Sequence, residues 1–170
     1  GMNREHSLFE TSRCVAASPS DTAPALVALD ATMVIRSVDG ERTLAAQDYF
    51  VGPANDIEST TALRTGEILT AVRIPNTWAN ATFYFEKVAD RNVWDFSLVN
   101  VAAAFKVSGG NVEDSRIVCG AVQCTPRRVT NVENAIQGQA KNAATAESVA
   151  AMATDGARAL AHNGFKIPLM

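Results

Sequence analysis

Residues 97–123 read SLVNVAAAFKVSGGNVEDSRIVCGAVQ, and this stretch decides the fold. Two apolar runs, Ser97 to Val107 and Asn111 to Gln123, flank Ser108-Gly109-Gly110. A glycine pair between such runs supplies the left-handed residues that a tight hairpin turn needs. The reading is a long antiparallel hairpin. Pro126 ends it, because proline has no N–H to give a ladder. Upstream, Thr82-Phe83-Tyr84-Phe85-Glu86-Lys87-Val88 is aromatic and alternating, which predicts a third strand. Downstream, two helices are expected, from about Asn131 to Gln137 and from about Thr145 to Asn163. The second is alanine-rich, places Val149, Met152 and Leu160 on its buried side, and should stop at Gly164. Strands followed by helices give an α+β class, a three-stranded antiparallel sheet packed on helices.

The first half punctuates differently. Residues 1–13 are polar and irregular, and Gly1 before Met2 reads as a residue left by tag cleavage. Cys14-Val15-Ala16-Ala17 is a short strand candidate, ended by Ser18-Pro19-Ser20. A helix should run from there to about Ala31. With Asp21 as N-cap, Pro24 falls at N3, where a missing N–H costs nothing, and the carboxylate accepts from first-turn amides. Thr32 to Arg36 and Glu41 to Leu44 form a hairpin around Ser37-Val38-Asp39-Gly40. Asp48-Tyr49-Phe50 is a helical turn, and Gly52 to Thr61 a polar loop. Ile68 to Ile74 is a strand that Pro75 ends. Pro75 to Asn80 is the candidate boundary, which divides the chain into 1–78 and 79–170.

Composition bounds the chemistry. The 170 residues carry 15 Lys+Arg against 18 Asp+Glu, a formal charge of −3, with 47% hydrophobic residues. That describes a globular chain with no basic surplus for nucleic acid. No apolar run approaches the roughly 18–20 residues of a membrane helix, and no leader pattern opens the chain. The three cysteines, Cys14, Cys119 and Cys124, have neither disulfide-scaffold nor iron–sulfur spacing and read as small hydrophobes. His6 and His162 stand near opposite ends, so a histidine-based triad requires the termini to meet.

Several motifs carry a family resemblance. Ser18-Pro19-Ser20-Asp21, the run Ala25 to Ala31, a hairpin, and Gly66-Glu67-Ile68-Leu69 with Ile74-Pro75 follow one another in order. Phe85-Glu86-Lys87-Val88, Asp90-Arg91 and Phe96-Ser97-Leu98-Val99 come next, and the tail is Asn163-Gly164-Phe165-Lys166-Ile167-Pro168-Leu169. Together with Asn3-Arg4-Glu5-His6, this order resembles the flavoprotein subunit of the molybdenum hydroxylases, the group of xanthine dehydrogenase, aldehyde oxidoreductase and carbon monoxide dehydrogenase. The resemblance implies that residues 1–78 are the last part of a molybdopterin-dehydrogenase-type FAD-binding domain. It implies that residues 79–170 are the C-terminal domain of a carbon monoxide dehydrogenase flavoprotein.

The resemblance further implies FAD as cofactor, with Asp21, Leu69 and Lys87 as binding residues and no catalytic acid or base. Each also has a plainer role: Asp21 the helix cap, Leu69 core, Lys87 a strand lysine among aromatics. Trp94 is read as a loop aromatic folded over the core, with stacking on the flavin ring as the alternative. Arg127-Arg128 is read as solvated, with a phosphate contact as the alternative. The family's glycine-rich loop, which wraps the FAD diphosphate with backbone amides, has no counterpart in this sequence, whose only adjacent glycines lie in the hairpin turn. The implied role is an oxidoreductase component relaying electrons from a molybdenum site and iron–sulfur clusters on partner subunits to an acceptor. FAD binding by this chain alone should be weak or absent. The alternative is a non-catalytic assembly module. A cytoplasmic location, self-association through uncovered apolar surface, and no membrane or nucleic-acid partner complete the expectations.

Overall fold

The computed structural model describes residues 2–170; Gly1, the expected tag remnant, lies outside them. The architecture is α+β, built on two antiparallel sheets. The first has order β2-β1-β3, with β1 Thr32–Ser37, β2 Gly40–Ala45 and β3 Ile68–Arg73. The second has order β4-β5-β6-β7, with β4 Thr82–Val88, β5 Val99–Ser108, β6 Asn111–Gly120 and the two-residue β7 Arg127–Arg128. β7 adds a fourth strand to the three expected.

The long hairpin forms as its sequence demands. Ser108 pairs with Asn111 across Gly109 and Gly110, which sit at φ +58° and +84° where a side chain would strain the turn. β6 stops at Gly120, short of the expected Gln123, because Ala121 turns left-handed at φ +62°. The residues beyond it then bond to the N-terminal segment: Leu8 N–H donates to Val122 O at 2.7 Å, and Ala121 N–H to Ser18 O at 3.0 Å.

One helix joins the sheets. α1 (Thr22–Ala28) packs against β5 and β6, and a shared core forms from Val27, Ala31, Met33 and Ile35 with Ala102 and Val118. α1 ends three residues before the expected Ala31. Asp30 adopts φ +50°, Asp30 N–H bonds Val27 O, and Ala31 N–H bonds Leu26 O, which is a Schellman termination with aspartate in the glycine position. α2 (Ala46–Tyr49) is the short turn expected near Asp48. A second core, with Leu8, Phe9, Val112, Val122 and Val132, lies under α3 (Thr130–Ile136).

Four expectations are corrected. Cys14 to Ala17 is no strand: Ser18 bonds residues 121 and 123, but Pro19 has no N–H to extend a ladder. The single helix from Thr145 to Asn163 is instead α4 (Ala143–Val149) followed by a 3-10 turn over Ala150–Thr154. Gly156, at φ +80°, breaks it, and the chain then fastens to the N-terminal segment through Arg158 N–H to Leu8 O. Gly164 opens a 3-10 helix, Gly164–Leu169, instead of closing one. Arg127-Arg128 is not a solvated pair. The Arg127 guanidinium lies 3.8 Å from the Phe9 ring centroid, and Arg128 grips Glu133 through two nitrogens, its Nη2 2.7 Å from Oε2.

Candidate functional site

α1 has an aspartate at each end, and both reach the second sheet. At the N-terminal end, Asp21 occupies the cap position but its side chain caps nothing. Its backbone is already helical, so the carboxylate points away from the first-turn amides. The Ser20 hydroxyl accepts from Ala23 N–H at 3.0 Å in its place. With Ser20 in that role, Pro24 stands where the first helical N–H should reach the Ser20 carbonyl. That carbonyl instead accepts from Asn100 Nδ2 at 3.2 Å.

The freed Asp21 carboxylate collects three donors: Lys87 Nζ at 2.7 Å on one oxygen, Ser97 Oγ at 2.6 Å and Asn100 Nδ2 at 3.3 Å on the other. Lys87 Nζ also donates to the Asp95 carbonyl at 2.7 Å. β4 and β5 set this arrangement, since Lys87 and Asn100 are cross-strand partners. Asn100 pairs with Gly120 on its other side, where an added Cβ would stand 2.1 Å from Asn100 Oδ1 and 2.7 Å from Pro24. Glycine at 120 is therefore required by close approach. Asn100 is fully buried, and its Oδ1 has no hydrogen-bond partner among the described residues.

Next to this network opens a cleft of about 380 Å³, lined by Glu5, His6, Pro19, Asp90, Phe96 and Ser97 among others. Its walls are the N-terminal segment and the β4–β5 loop, tied together where Arg4 donates through both terminal nitrogens to Asp90, at 2.7 Å for Nη2. Lys166 lies behind three of the lining residues. Its ammonium is buried and donates to the carbonyls of Ala121, His6 and Glu5, at 2.5, 3.0 and 3.4 Å. The termini thus meet, through Asn163 and Lys166 on the backbone of residues 5–7.

Charge in the cleft is settled by these contacts. Burial pushes the Asp21 carboxyl up, but the hydrogen bonds from Lys87 and Ser97 and the Lys87 charge outweigh it and hold the group below its ordinary value. Arg4 depresses Asp90, chiefly by hydrogen bonding. The Arg91 backbone N–H, above all, depresses Asp95. Burial lowers the Lys166 ammonium to about 8, with the Glu5 carboxylate pulling the other way.

Trp94 contradicts its expected place over the core. It is 92% exposed, at φ +56°, with Val93 and Phe96 exposed beside it. Among the expected site residues, the structure joins Asp21 to Lys87 and leaves Leu69 on the other sheet, opposite Ile35 and packed half-buried against the Met33–Ile35 core. Ser97 and Asn100 were not singled out from sequence. A lone asparagine inside an apolar strand run was the available signal.

Residues 12–77 match the FAD binding domain in molybdopterin dehydrogenase, and residues 84–164 match the CO dehydrogenase flavoprotein C-terminal domain. The chain belongs to the FAD-binding-subunit family of the molybdenum hydroxylases. It is 34% identical over 123 residues to the glyceraldehyde dehydrogenase medium chain of Sulfolobus acidocaldarius, covering 72% of this chain and 41% of that protein. It is 31% identical over 146 residues to the carbon monoxide dehydrogenase medium chain of Afipia carboxidovorans, covering 81% and 49%. Quinoline 2-oxidoreductase from Pseudomonas putida 86 superposes with a TM-score of 0.75 at 26% identity, over 97% of this chain and 60% of that one. The chain spans less than half the length of these curated relatives.

FAD is the cofactor this family implies, and the residues fit one end of it. The cleft and the exposed Trp94 and Phe96 offer room and aromatic faces for a planar ring. The diphosphate is not accommodated. Arg4, Lys87 and Arg91 are each already held by a carboxylate. The positive-φ glycines among the described residues lie in turns, away from the Asp21 network. No nest of converging amides faces the cleft from them.

Proposed function

We propose that this chain acts as part of the FAD-binding subunit of a molybdenum hydroxylase, serving the ring end of the flavin in electron relay to an acceptor. The observation that carries this is the Asp21–Lys87–Ser97–Asn100 network, set beside a cleft that Phe96 lines, with Trp94 in the adjoining hollow that Lys87 and Asp95 also line. FAD, when bound, supplies the electron storage. The chain's own residues orient and exclude water: Asp21 and Lys87 fix the α1–β4 junction at the cleft edge, and Leu69 on β3 serves the flavin pocket from the other sheet. A molybdenum-cofactor subunit and an iron–sulfur subunit are the partners, in the cytoplasm, with residues 1–78 serving as the FAD-domain part and residues 79–170 as the C-terminal domain. Self-association of the chain alone runs through exposed apolar residues of the two sheets, Ile68, Val72 and Ile74 at β3 and Phe83, Tyr84 and Phe85 on β4.

Titration of the purified chain with FAD, followed by flavin fluorescence and calorimetry, tests this reading. The expected result is weak binding, because association costs about 4–15 kcal/mol before any gain, and no amide nest offsets it. Weak binding should disappear in Lys87→Ala and in Trp94→Ala. A chain that binds no flavin at millimolar concentration, in wild type as in variants, instead supports an assembly module derived from this subunit.

A further inference from the structure

The second sheet carries a cavity on its other side, which shares no lining residue with the cleft. Its volume is about 270 Å³. Val101, Phe105 and Ile117 of the sheet form its floor, and Val132 and Ile136 of α3 form one wall. α4 and the 3-10 turn after it form the roof. Their sequence explains the gap. The roof residues are Ala146, Val149, Ala150 and Ala153, small side chains of which Val149 and Ala153 pack against the core, and no residue of α4 is buried. At the rim stands Lys141, exposed and the only charged side chain lining the space. It forms no ion pair with the described residues.

We propose that this cavity binds a medium-chain fatty carboxylate, its tail between sheet and α4 and its carboxylate at Lys141. An apolar cavity of roughly 150 Å³ stays dry and takes up benzene, so the larger space here holds a saturated chain of about eight to ten carbons. The lining is apolar apart from Lys141 and two polar residues within four positions of it, Asn142 and Thr145, with Met170 also on the wall, so the head must lie at the Lys141 end. A neutral alcohol of the same length shares the tail contacts and lacks the charge contact.

Calorimetry of the full chain with hexanoate, octanoate, decanoate and 1-decanol tests this. Binding should be one to one, and affinity should rise about fourfold per added methylene until the cavity is full. Lys141→Glu, an exposed substitution that leaves the fold alone, should weaken decanoate at least tenfold and leave decanol unchanged. Ala146→Phe should weaken both ligands, with urea unfolding as the control for its stability. No saturable decanoate binding below its self-association concentration, affinity that ignores chain length, or a Lys141→Glu variant that binds decanoate as wild type does would each overturn the proposal.

Discussion

The two ends of α1 carry the same residue type and use it in opposite ways. At the C-terminal end, Asp30 accepts from Trp78 Nε1 at 2.8 Å and from Arg116 Nε at 3.2 Å. Trp78 is buried, with Lys106 and Arg116 each 5.1 Å from its ring centroid. This end is closed. It fastens the connection between the two sheets, the 3-10 turn Asn76–Trp78, to β6. At the N-terminal end, Asp21 has comparable partners and a side chain not much more exposed, 45% against 34% for Asp30, but a cleft lies alongside instead of a buried tryptophan. A polar cluster that seals a junction and one that borders a cleft are told apart here by what lies over them, not by their chemistry.

The largest test strikes the closed end. Trp78→Ala should cost about 3–5 kcal/mol in urea unfolding, as loss of a fully buried aromatic does. A cost near that of a surface substitution would mean that the junction is not sealed as described.

At the open end, Asp21→Ala should cost about 1–3 kcal/mol, because it removes the carboxylate that Lys87, Ser97 and Asn100 share. Asp21→Ser and Asp21→Asn should fail to restore wild-type stability, although both are good helix caps, since neither carries the charge that Lys87 needs. A depressed folded-state carboxyl contributes stability that is present above its ordinary value near 3.8 and is lost as pH falls through the folded one. The gap between wild type and Asp21→Asn should therefore narrow below about pH 4. A pH-independent gap would separate Asp21's contribution from its ionisation.

Lys166, packed behind the cleft lining, has a dependence of the same sign in a more alkaline window. Its folded value of about 8 lies below the ordinary 10.5, so between them the unfolded chain binds more protons and stability rises with pH. Cys119, raised by burial from 9.0 to about 11, works against this, losing stability between those values. Subtracting the Lys166→Met profile from that of wild type isolates the lysine: the difference should climb from pH 8 to 10. A flat difference would show the ammonium to be compensated by its three carbonyls.

The smallest effect concerns backbone alone. Asp30→Gly and Asp30→Ala both lose the carboxylate, but only glycine relaxes φ +50°. Glycine should be the more stable of the two by about 1 kcal/mol. Equal stabilities would mean that the left-handed turn carries little strain.

Local signals were the legible ones. The Gly109-Gly110 turn, both hairpins, the aromatic strand β4 and the proline stops follow from φ preferences and side-chain alternation, which act over a few residues. The family resemblance likewise lay in short ordered motifs. The alanine-rich stretch after Thr145 misled because high helix propensity yields where Gly156 and a nearby chain segment offer other partners. Arg127 and Arg128 looked solvated because nothing beside them in sequence names Phe9 or Glu133.

The candidate site divides along the same line. Residue order and local preference already placed the start of α1 near Asp21 and Lys87 on an aromatic strand, and showed that the glycine loop of the family has no counterpart here. Only the tertiary structure decided that Asp21 turns from its own helix to Lys87, Ser97 and Asn100. That choice rests on Pro24 and Ser20 freeing the first turn, on Gly120 giving Asn100 room, and on residues 66, 76 and 79 positions away from Asp21 arriving within hydrogen-bond reach. Contacts of such separation leave no periodic trace in a chain, because each is made by a single side chain whose neighbours in sequence serve other purposes.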